Sequence, residues 1–553
     1  MRGGPVNRRV LVVLGAAQFL MVLDQAVMNV SISQLVEDLD TDVTSIQAAI
    51  TFYALVMAAL MITGGKLGDR WGRRRAFGIG LGVYAVGSAI TAVSWNVGVL
   101  TLGWSVIEGI GAALVMPAMV ALVAGNFEGR DRAAAYGVMG GIAGAGVAVG
   151  PILGGWVTTN LSWRVVFAGE VVVAVLILLF VRWIREPERD AEPPELDVVG
   201  SALSATGLGL VVYGVLQSST WGWLDPRNSP VEPFGLALTP FVVCAGLVVL
   251  GLFVRWERHR EAIGREPLVH LDRLRIVPLR AGLTMFTAQN LILMGIFFSI
   301  PLYLQVVQGF DALETGVLML PVSVALFLTS AAGPLLGRRW SPRTIVRAGL
   351  VVLLVADVAL LSLVDPDLAR PAFLAAMGVL GVGMGLLASQ LGNVVQSSVD
   401  ESGRSEAGGL QWTAQQFGGA LGTALIGAVV IGGLATALGA LVASDPAVSD
   451  EVEGQVGLAL ESGVSFVPVD QVRAAVDSTS LPPPEAEAIV AAYGQAQLQG
   501  LRIGLLLVGL IVVGSTFLTK GLPVEPILAA APGRVRGRPR SADAGPTDRS
   551  RGR

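Results

Sequence analysis

GGKLGDRWGRRR, residues 64–75, sets five bases and one acid between two long apolar runs. Each flanking run is long enough to cross about 30 Å of hydrocarbon as a helix. Working outward from this loop, apolar runs of similar length recur along the whole chain. They fall approximately at 10–34, 46–66, 76–94, 97–122, 137–159, 165–184, 196–217, 236–256, 281–306, 315–337, 343–363, 371–393, 408–438 and 499–519. Composition agrees. The chain is 53% hydrophobic and 14% charged, with a mean hydropathy of +0.67, where a soluble domain carries about 25% charged residues. The reading is an all-α polytopic membrane protein with 14 transmembrane helices.

Charge is segregated by loop. Loops after even-numbered spans carry Arg70, Arg73, Arg74 and Arg75, then Arg130 and Arg132, Arg182 and Arg185, Arg255, Arg258 and Arg260, and Arg338, Arg339 and Arg343. Loops on the other side are acidic: Glu37, Asp38, Asp40 and Asp42 stand without a base, and 439–498 carries many acids against Arg473 alone. The positive-inside rule therefore predicts cytoplasmic termini, an extracellular loop 439–498 and residence in the cell's plasma (inner) membrane. Arg2, Arg8 and Arg9 precede the first apolar run as in a secretion signal, but that run is too long and contains Asp24, so a retained helix is expected. Lone Cys244 excludes an intramolecular disulfide. His259 and His270 share one polar loop without metal-ligand spacing, so no metal and no cofactor are expected. The arginine run sits in too short a membrane loop to bind nucleic acid. Nothing in the sequence requires more than a monomer in a lipid bilayer.

A weaker echo of the first loop, GPLLGRRWSPR at 333–343, lies in the second half on the same face. Two related loops suggest two pseudo-symmetric six-helix bundles with two additional helices between them, the parallel repeat that transporters build around a midplane site. The expected organisation is an N-terminal bundle at 1–190, two extra helices and a linker at 191–280, a C-terminal bundle at 281–525 and a basic disordered tail at 526–553.

GKLGDRWGRRR resembles the signature loop of the major facilitator superfamily. The resemblance places an inner gate on Gly65, Leu67, Asp69, Arg70, Gly72, Arg73 and Arg74. GVAVGPILGG, 146–155, is similar to the motif of that superfamily's drug:proton antiporters, with Gly146, Gly150, Pro151, Gly154 and Gly155 in place. LDQAVMNVSIS, 23–33, is similar to the first-helix motif of the fourteen-helix branch, with Ala26 and Ser33 as departures. Physics reads the same residues directly. Glycines three to five apart leave a helix face without side chains, and Pro151 removes one backbone bond. That face serves tight packing, a proton seal and hinge, or both. The arginine loop serves as a membrane anchor or as a gate whose ion pairs exchange.

Three acids stand inside spans of the first half: Asp24, Glu108 and Glu170. A carboxylate there costs roughly 2.5–3.5 kcal/mol on insertion scales. The family's fourth helix carries an arginine three residues before a Gln-Gly pair; here Ser105 and Glu108 occupy those positions. The resemblance puts helices 1 and 4 beside a central cavity, where two carboxyls without a base cannot cheaply both ionise. At least one should hold a proton near neutral pH. The alternative for Asp24 and Glu108 is a hydrogen-bonded structural acid, and for Glu170 it is snorkelling outward or pairing with Arg164. Asp357 is a fourth buried acid, expected at the periphery. Asn29, Gln289, Asn290, Gln390 and Asn393 are candidate polar contacts in the cavity, alongside Gln411, Gln415 and Gln416.

Together these point to a proton-coupled secondary exporter of amphipathic, cationic or neutral small molecules, with protons and substrate as its partners. It is a carrier and not an enzyme, and it lacks a phosphate-binding Gly-x-x-x-x-Gly-Lys-Ser/Thr loop. A dedicated exporter of an endogenous metabolite or antibiotic shares every motif. An uptake symporter, or a sensor or scaffold using 439–498, fits fewer of them. The topology is testable. Single cysteines placed within 439–498 of a Cys244→Ala chain should react with an impermeant thiol reagent in intact cells. Labelling only after permeabilisation would reverse the orientation.

Overall fold

The computed structural model describes residues 8–127, 129–186, 195–399, 404–462, 466–479 and 481–525. The expected tail 526–553, and the side chains of Arg130 and Arg132, lie outside the described residues. The long helices are α1 Arg8–Val30, α2 Val43–Trp71, α3 Arg73–Ala92, α4 Val97–Val123, α5 Gly129–Asn160, α6 Trp163–Trp183 and α7 Val198–Trp221. They continue as α8 Thr239–Ala262, α9 Val277–Val307, α10 Ala312–Ala331, α11 Pro342–Leu363, α12 Arg370–Ser397, α13 Glu406–Ser444 and α14 Pro483–Gly521.

Among the described residues, 13 helices are long and apolar enough to cross a membrane. Helix α5, 32 residues long, stands at the expected fifth span, and several of its side chains lie outside the described residues. Thirteen of the 14 expected spans are thus found among the described residues.

Local chemistry places the helix ends. Asp42, Asn96, Asp197, Asp311 and Ser341 each accept a backbone N–H three residues on, capping α2, α4, α7, α10 and α11. Proline opens α8, α9, α12 and α14 within their first two positions, where its missing N–H costs nothing. Gly72 ends α2 and begins α3 at φ 102, a left-handed backbone that a side chain would strain.

Helices α1–α6 pack mainly on one another, as do α9–α14. The two halves meet along α5 with α10 and along α2 with α13. Helix α10 is the second helix of its half and α13 the fifth, so the seams exchange under the pseudo-twofold repeat. Hairpin α7–α8 lies outside both bundles, with α7 against α2 and α13. Cys244 is exposed on α8.

The repeat extends to the loops. In the first half Arg74 donates to Ile184 O at 3.2 Å, and its backbone N–H reaches Glu186 Oε2 at 3.2 Å, tying the α2–α3 loop to the end of α6. In the second half Arg343 donates to Leu522 O at 2.9 Å and also to Lys520 O, tying the α10–α11 loop to the end of α14.

The stretch expected as loop 439–498 is largely helical instead. Helix α13 runs on to Ser444, α14 begins at Pro483, and short helices Asp450–Ser462 and Val469–Asp477 lie between. Phe466 is buried, and Tyr493 and Gln497 of α14 bond the Val467 backbone. These short helices are polar and carry no long apolar run.

The seam between α5 and α10 depends on missing side chains. A Cβ on Gly155 would lie 2.3 Å from Ala312 O, and one on Gly316 would lie 2.1 Å from Pro151 O. Gly146, Gly150 and Gly154 instead face Val22, Ala26 and Val27 of α1. Gly155→Leu should therefore lower thermal stability by about 1–3 kcal/mol, the usual cost of overpacking. Gly141→Leu on the same helix, where a Cβ meets nothing within 4 Å, is the control. Equal melting temperatures for the two variants would show that the seam does not need the bare face.

Candidate functional site

Asp24, Glu108 and Glu170 come together. One carboxylate oxygen from each lies within 4.8 Å of the others, and all three side chains are buried. They arrive from α1, α4 and α6, and α2 and α3 close the site with Tyr53, Tyr84 and Ser88. Trp104 Nε1 donates to Asp24 Oδ1 at 2.8 Å. Ser88 Oγ donates to Glu170 Oε2 at 2.7 Å and the Tyr84 hydroxyl at 3.2 Å. Tyr53 stacks flat on Trp104 at 4.6 Å between ring centroids, which fixes the indole that holds Asp24.

These donors satisfy one oxygen of Asp24 and one of Glu170. Among the described residues, Asp24 Oδ2, Glu170 Oε1 and both oxygens of Glu108 accept no well-aligned hydrogen bond from a hydroxyl or N–H, which leaves the other carboxyls and the nearby Tyr53, Tyr84 and Ser88 hydroxyls as their neighbours. Among the described residues, no lysine, arginine or histidine is paired with any of the three. Three such charges side by side in a dry bundle would repel strongly and keep their full desolvation cost. The arrangement suits protons shared among the carboxyls; the spacing is also one that a small hard cation can use.

Local structure delivers Glu108 to this point. Thr101–Glu108 is a π-helical stretch within α4, and such segments reset the face a helix presents. Ser105, in the place of the family's arginine, turns to α2 and donates to Ala49 O at 2.7 Å. On α3, Gly87 leaves the necessary room, since a Cβ there would sit 2.5 Å from Glu108 N.

The resemblance put Asp24 and Glu108 beside a central cavity; in this structure both are 0% exposed. For Glu170, nearer the outer end of its span, the alternative to a coupling role was snorkelling outward or pairing with Arg164, and that alternative is corrected. Instead Arg164 pairs with Asp38 at 3.0 Å and donates to Ser94 O at 3.1 Å, while Glu170 turns inward. Helix α6 begins at Trp163, so Glu170 lies about two turns inside it.

The expected gate residues are all at one end of the first half. Asp69 accepts from Arg73 at 3.2 Å, one helical turn away. Arg70 is exposed, Leu67 is half-buried, and Gly65 lies over Pro117 of α4. Every hydrogen bond described for Asp69, Arg73 and Arg74 stays within the first half, while Lys66 reaches Glu266 of the α8–α9 linker at 3.4 Å. His270, expected as a solvated loop residue, bonds Glu406 at 2.9 Å.

The amide candidates are mostly used by backbone. Asn29 donates to Gln25 O, Asn290 to Phe286 O, Gln289 to Met384 O and Gln390 to Gly333 O. Asn393 is exposed. Asp357 is buried with its Oδ2 close to Gly509 of α14. Amides that bridge the halves include Gln416, a sequence candidate, which donates to Met57 Sδ at 3.0 Å, together with Gln47, which donates to Thr423 O at 2.9 Å, and Gln305, which donates to Val30 O at 2.9 Å. Gln47, Gln305, Trp104, Tyr84 and Ser88 were not singled out by sequence. The Tyr84–Ser88 spacing of one helical turn was the available signal.

The family model described as Major Facilitator Superfamily matches residues 14–423. The tetracenomycin C resistance and export protein of Streptomyces glaucescens is 28% identical over 431 residues, covering 78% of this chain and 77% of its own. The puromycin resistance protein pur8 of Streptomyces alboniger is 32% identical over 443 residues, covering 79% and 84%. The drug efflux pump JefA of Mycobacterium tuberculosis is 28% identical over 435 residues, covering 78% and 82%. Among solved structures, an inward-facing bacterial homologue of the human lysosomal transporter Spinster aligns with a TM-score of 0.58 at 13% identity, over 94% of this chain and 99% of its own. That likeness is one of fold.

The donor shell of the acids can be probed directly. Trp104→Phe keeps the ring against Tyr53 but removes the N–H that Asp24 accepts. It should cost about 1–3 kcal/mol of stability, the penalty for an orphaned buried polar group. Most of that cost should vanish when Asp24→Ala is already present. Additive losses in the double-mutant cycle would show that the bond contributes nothing.

Proposed function

Because the chain belongs to the major facilitator superfamily, we propose that it is a proton-coupled antiporter that exports amphipathic, neutral or cationic small molecules. The observation that carries this reading is the trio Asp24, Glu108 and Glu170, buried within 4.8 Å of one another. The other titratable groups facing them are the hydroxyls of Tyr53 and Tyr84, which do not supply a positive charge. The resistance and efflux proteins named above support export of drug-like compounds. In this reading α5 is the fourteenth span, both termini are cytoplasmic in the bacterial inner membrane, and the arginine loop gates the cytoplasmic end.

In the proposed cycle the cluster is neutral while closed to water, which makes its burial inexpensive. Opening toward the cytoplasm lets a proton leave, and the negative charge that remains favours release of further restraint in α4 and entry of substrate. Reprotonation from outside restores the neutral cluster. Protons and substrate need not touch, since the acids lie within the first bundle and the substrate path lies between the bundles.

A dedicated exporter is the second reading, because some relatives are named for one compound each, as with tetracenomycin C and puromycin. A substrate panel separates a broad from a narrow exporter.

Proteoliposomes test the coupling. Glu108→Gln keeps the shape and fixes the neutral form. It should insert normally, lose transport driven by a pH gradient, and bind substrate with weaker pH dependence than the wild type. Wild-type transport with an unchanged pH profile would reduce Glu108 to a packing residue. Transport driven by a sodium gradient and indifferent to pH would overturn the proton assignment.

A further inference from the structure

The last turns of α8 divide their charges between two faces. On the inner face Glu257 and Arg260 are buried, with Arg260 3.4 Å from Asp197 and 3.4 Å from Glu195, and Glu257 accepting from Val269 N at 3.1 Å. On the outer face Arg255, Arg258 and His259 are exposed. Among the described residues neither Arg255 nor Arg258 forms an ion pair.

With Gly251 and Val254, these three residues line a recess of about 460 Å³. Positions 251, 254, 255, 258 and 259 follow the three-and-four spacing that puts residues on one helix face. Gly251 supplies the apolar floor, and a Cβ there would meet nothing within 4 Å. Counting from Thr239, Arg255 and Arg258 stand about 24 and 28 Å along the helix at about 1.5 Å per residue. That is the depth at which about 30 Å of hydrocarbon gives way to headgroups.

We propose that this recess seats the phosphate of an anionic membrane lipid. Arg255 and Arg258 fork onto the phosphate oxygens, His259 adds a ring N–H, and an acyl chain runs over Gly251 and Val254. The guanidinium groups match phosphate geometry. Basic pockets at the ends of membrane helices favour such headgroups. Helix α8 packs mainly on α7, and a bound lipid would complete its otherwise lipid-facing side. The proposal does not rest on the transport reading.

Native mass spectrometry of the full chain in mild detergent tests it, with phosphatidylglycerol and phosphatidylcholine of the same acyl chains. The wild type should prefer phosphatidylglycerol. Arg255→Gln with Arg258→Gln should weaken that preference by roughly fivefold for each arginine, following about 1 kcal/mol per basic residue. Gly251→Trp should weaken it with all charges intact, by filling the floor of the recess. Arg182→Gln, an exposed arginine of α6 outside the recess, should leave it unchanged. Undiminished preference in the double variant would overturn the site, as would an equal loss in Arg182→Gln. Displacement of the lipid by inorganic phosphate at similar concentration would assign the recess to a soluble anion and overturn the lipid reading.

Discussion

Hydrocarbon offers nothing to a charge, and inside the first bundle three carboxyls lie side by side with no base paired to them among the described residues. The surrounding structure answers that constraint. Trp104, Tyr84 and Ser88 each donate toward the cluster, Tyr53 braces the indole, and Gly87 yields the space that Glu108 takes up. The oriented donors reach Asp24 and Glu170, and Glu108 lies among the same hydroxyls and carboxyls, an environment costly for a charged group and tolerable for a neutral one that shares protons with its neighbours.

The same economy of polar groups organises the rest of the bundle. Backbone groups in lipid must be satisfied internally, which leaves helices as the available element here. Residual polar side chains then become ties between helices. Arg74 and Arg343 each fasten a loop to the closing helix of its own half. Such ties make each half a unit, and the seams between units can be loosened without breaking them. Bare glycine faces at α5–α10 bring backbones together mainly by contact, with Leu313 N–H donating to Thr159 Oγ1 at 3.2 Å at one end, and contact surfaces can slide or part more readily than ion pairs can be broken.

Most of the fold was legible because span length and hydropathy are properties of single segments. Both half-repeats could be read from the two arginine-rich loops. The charge pattern also picked out Asp24, Glu108 and Glu170 individually. Their meeting was not legible. Depth counted from the end of a span assumes a uniform α-helix, whereas α4 carries a π-helical stretch from Thr101 to Glu108. For Glu170 the sequence left two readings open, and the one that paired it with Arg164 falls because Asp38 takes that arginine. Pairings of this kind join residues more than a hundred positions apart, and no local pattern encodes them. The segment after α13 was misread because amphipathic helices outside the membrane resemble loops in composition.

Asp24, Glu108 and Glu170 are buried among helices of the first half. Under the proposed proton coupling, their protonation would act through the helices that bear them. Helix α4 is the suited element, because a π-helical stretch holds an extra residue that can be redistributed along the helix. Shifting that register would move Glu108 and Ser105 together, and Ser105 is bonded to the backbone of α2. Helix α2 in turn forms one of the two seams with the second half. A continuous physical route thus runs from the acids through α4 and α2 to the interface between the halves, by contacts and bonds already in place.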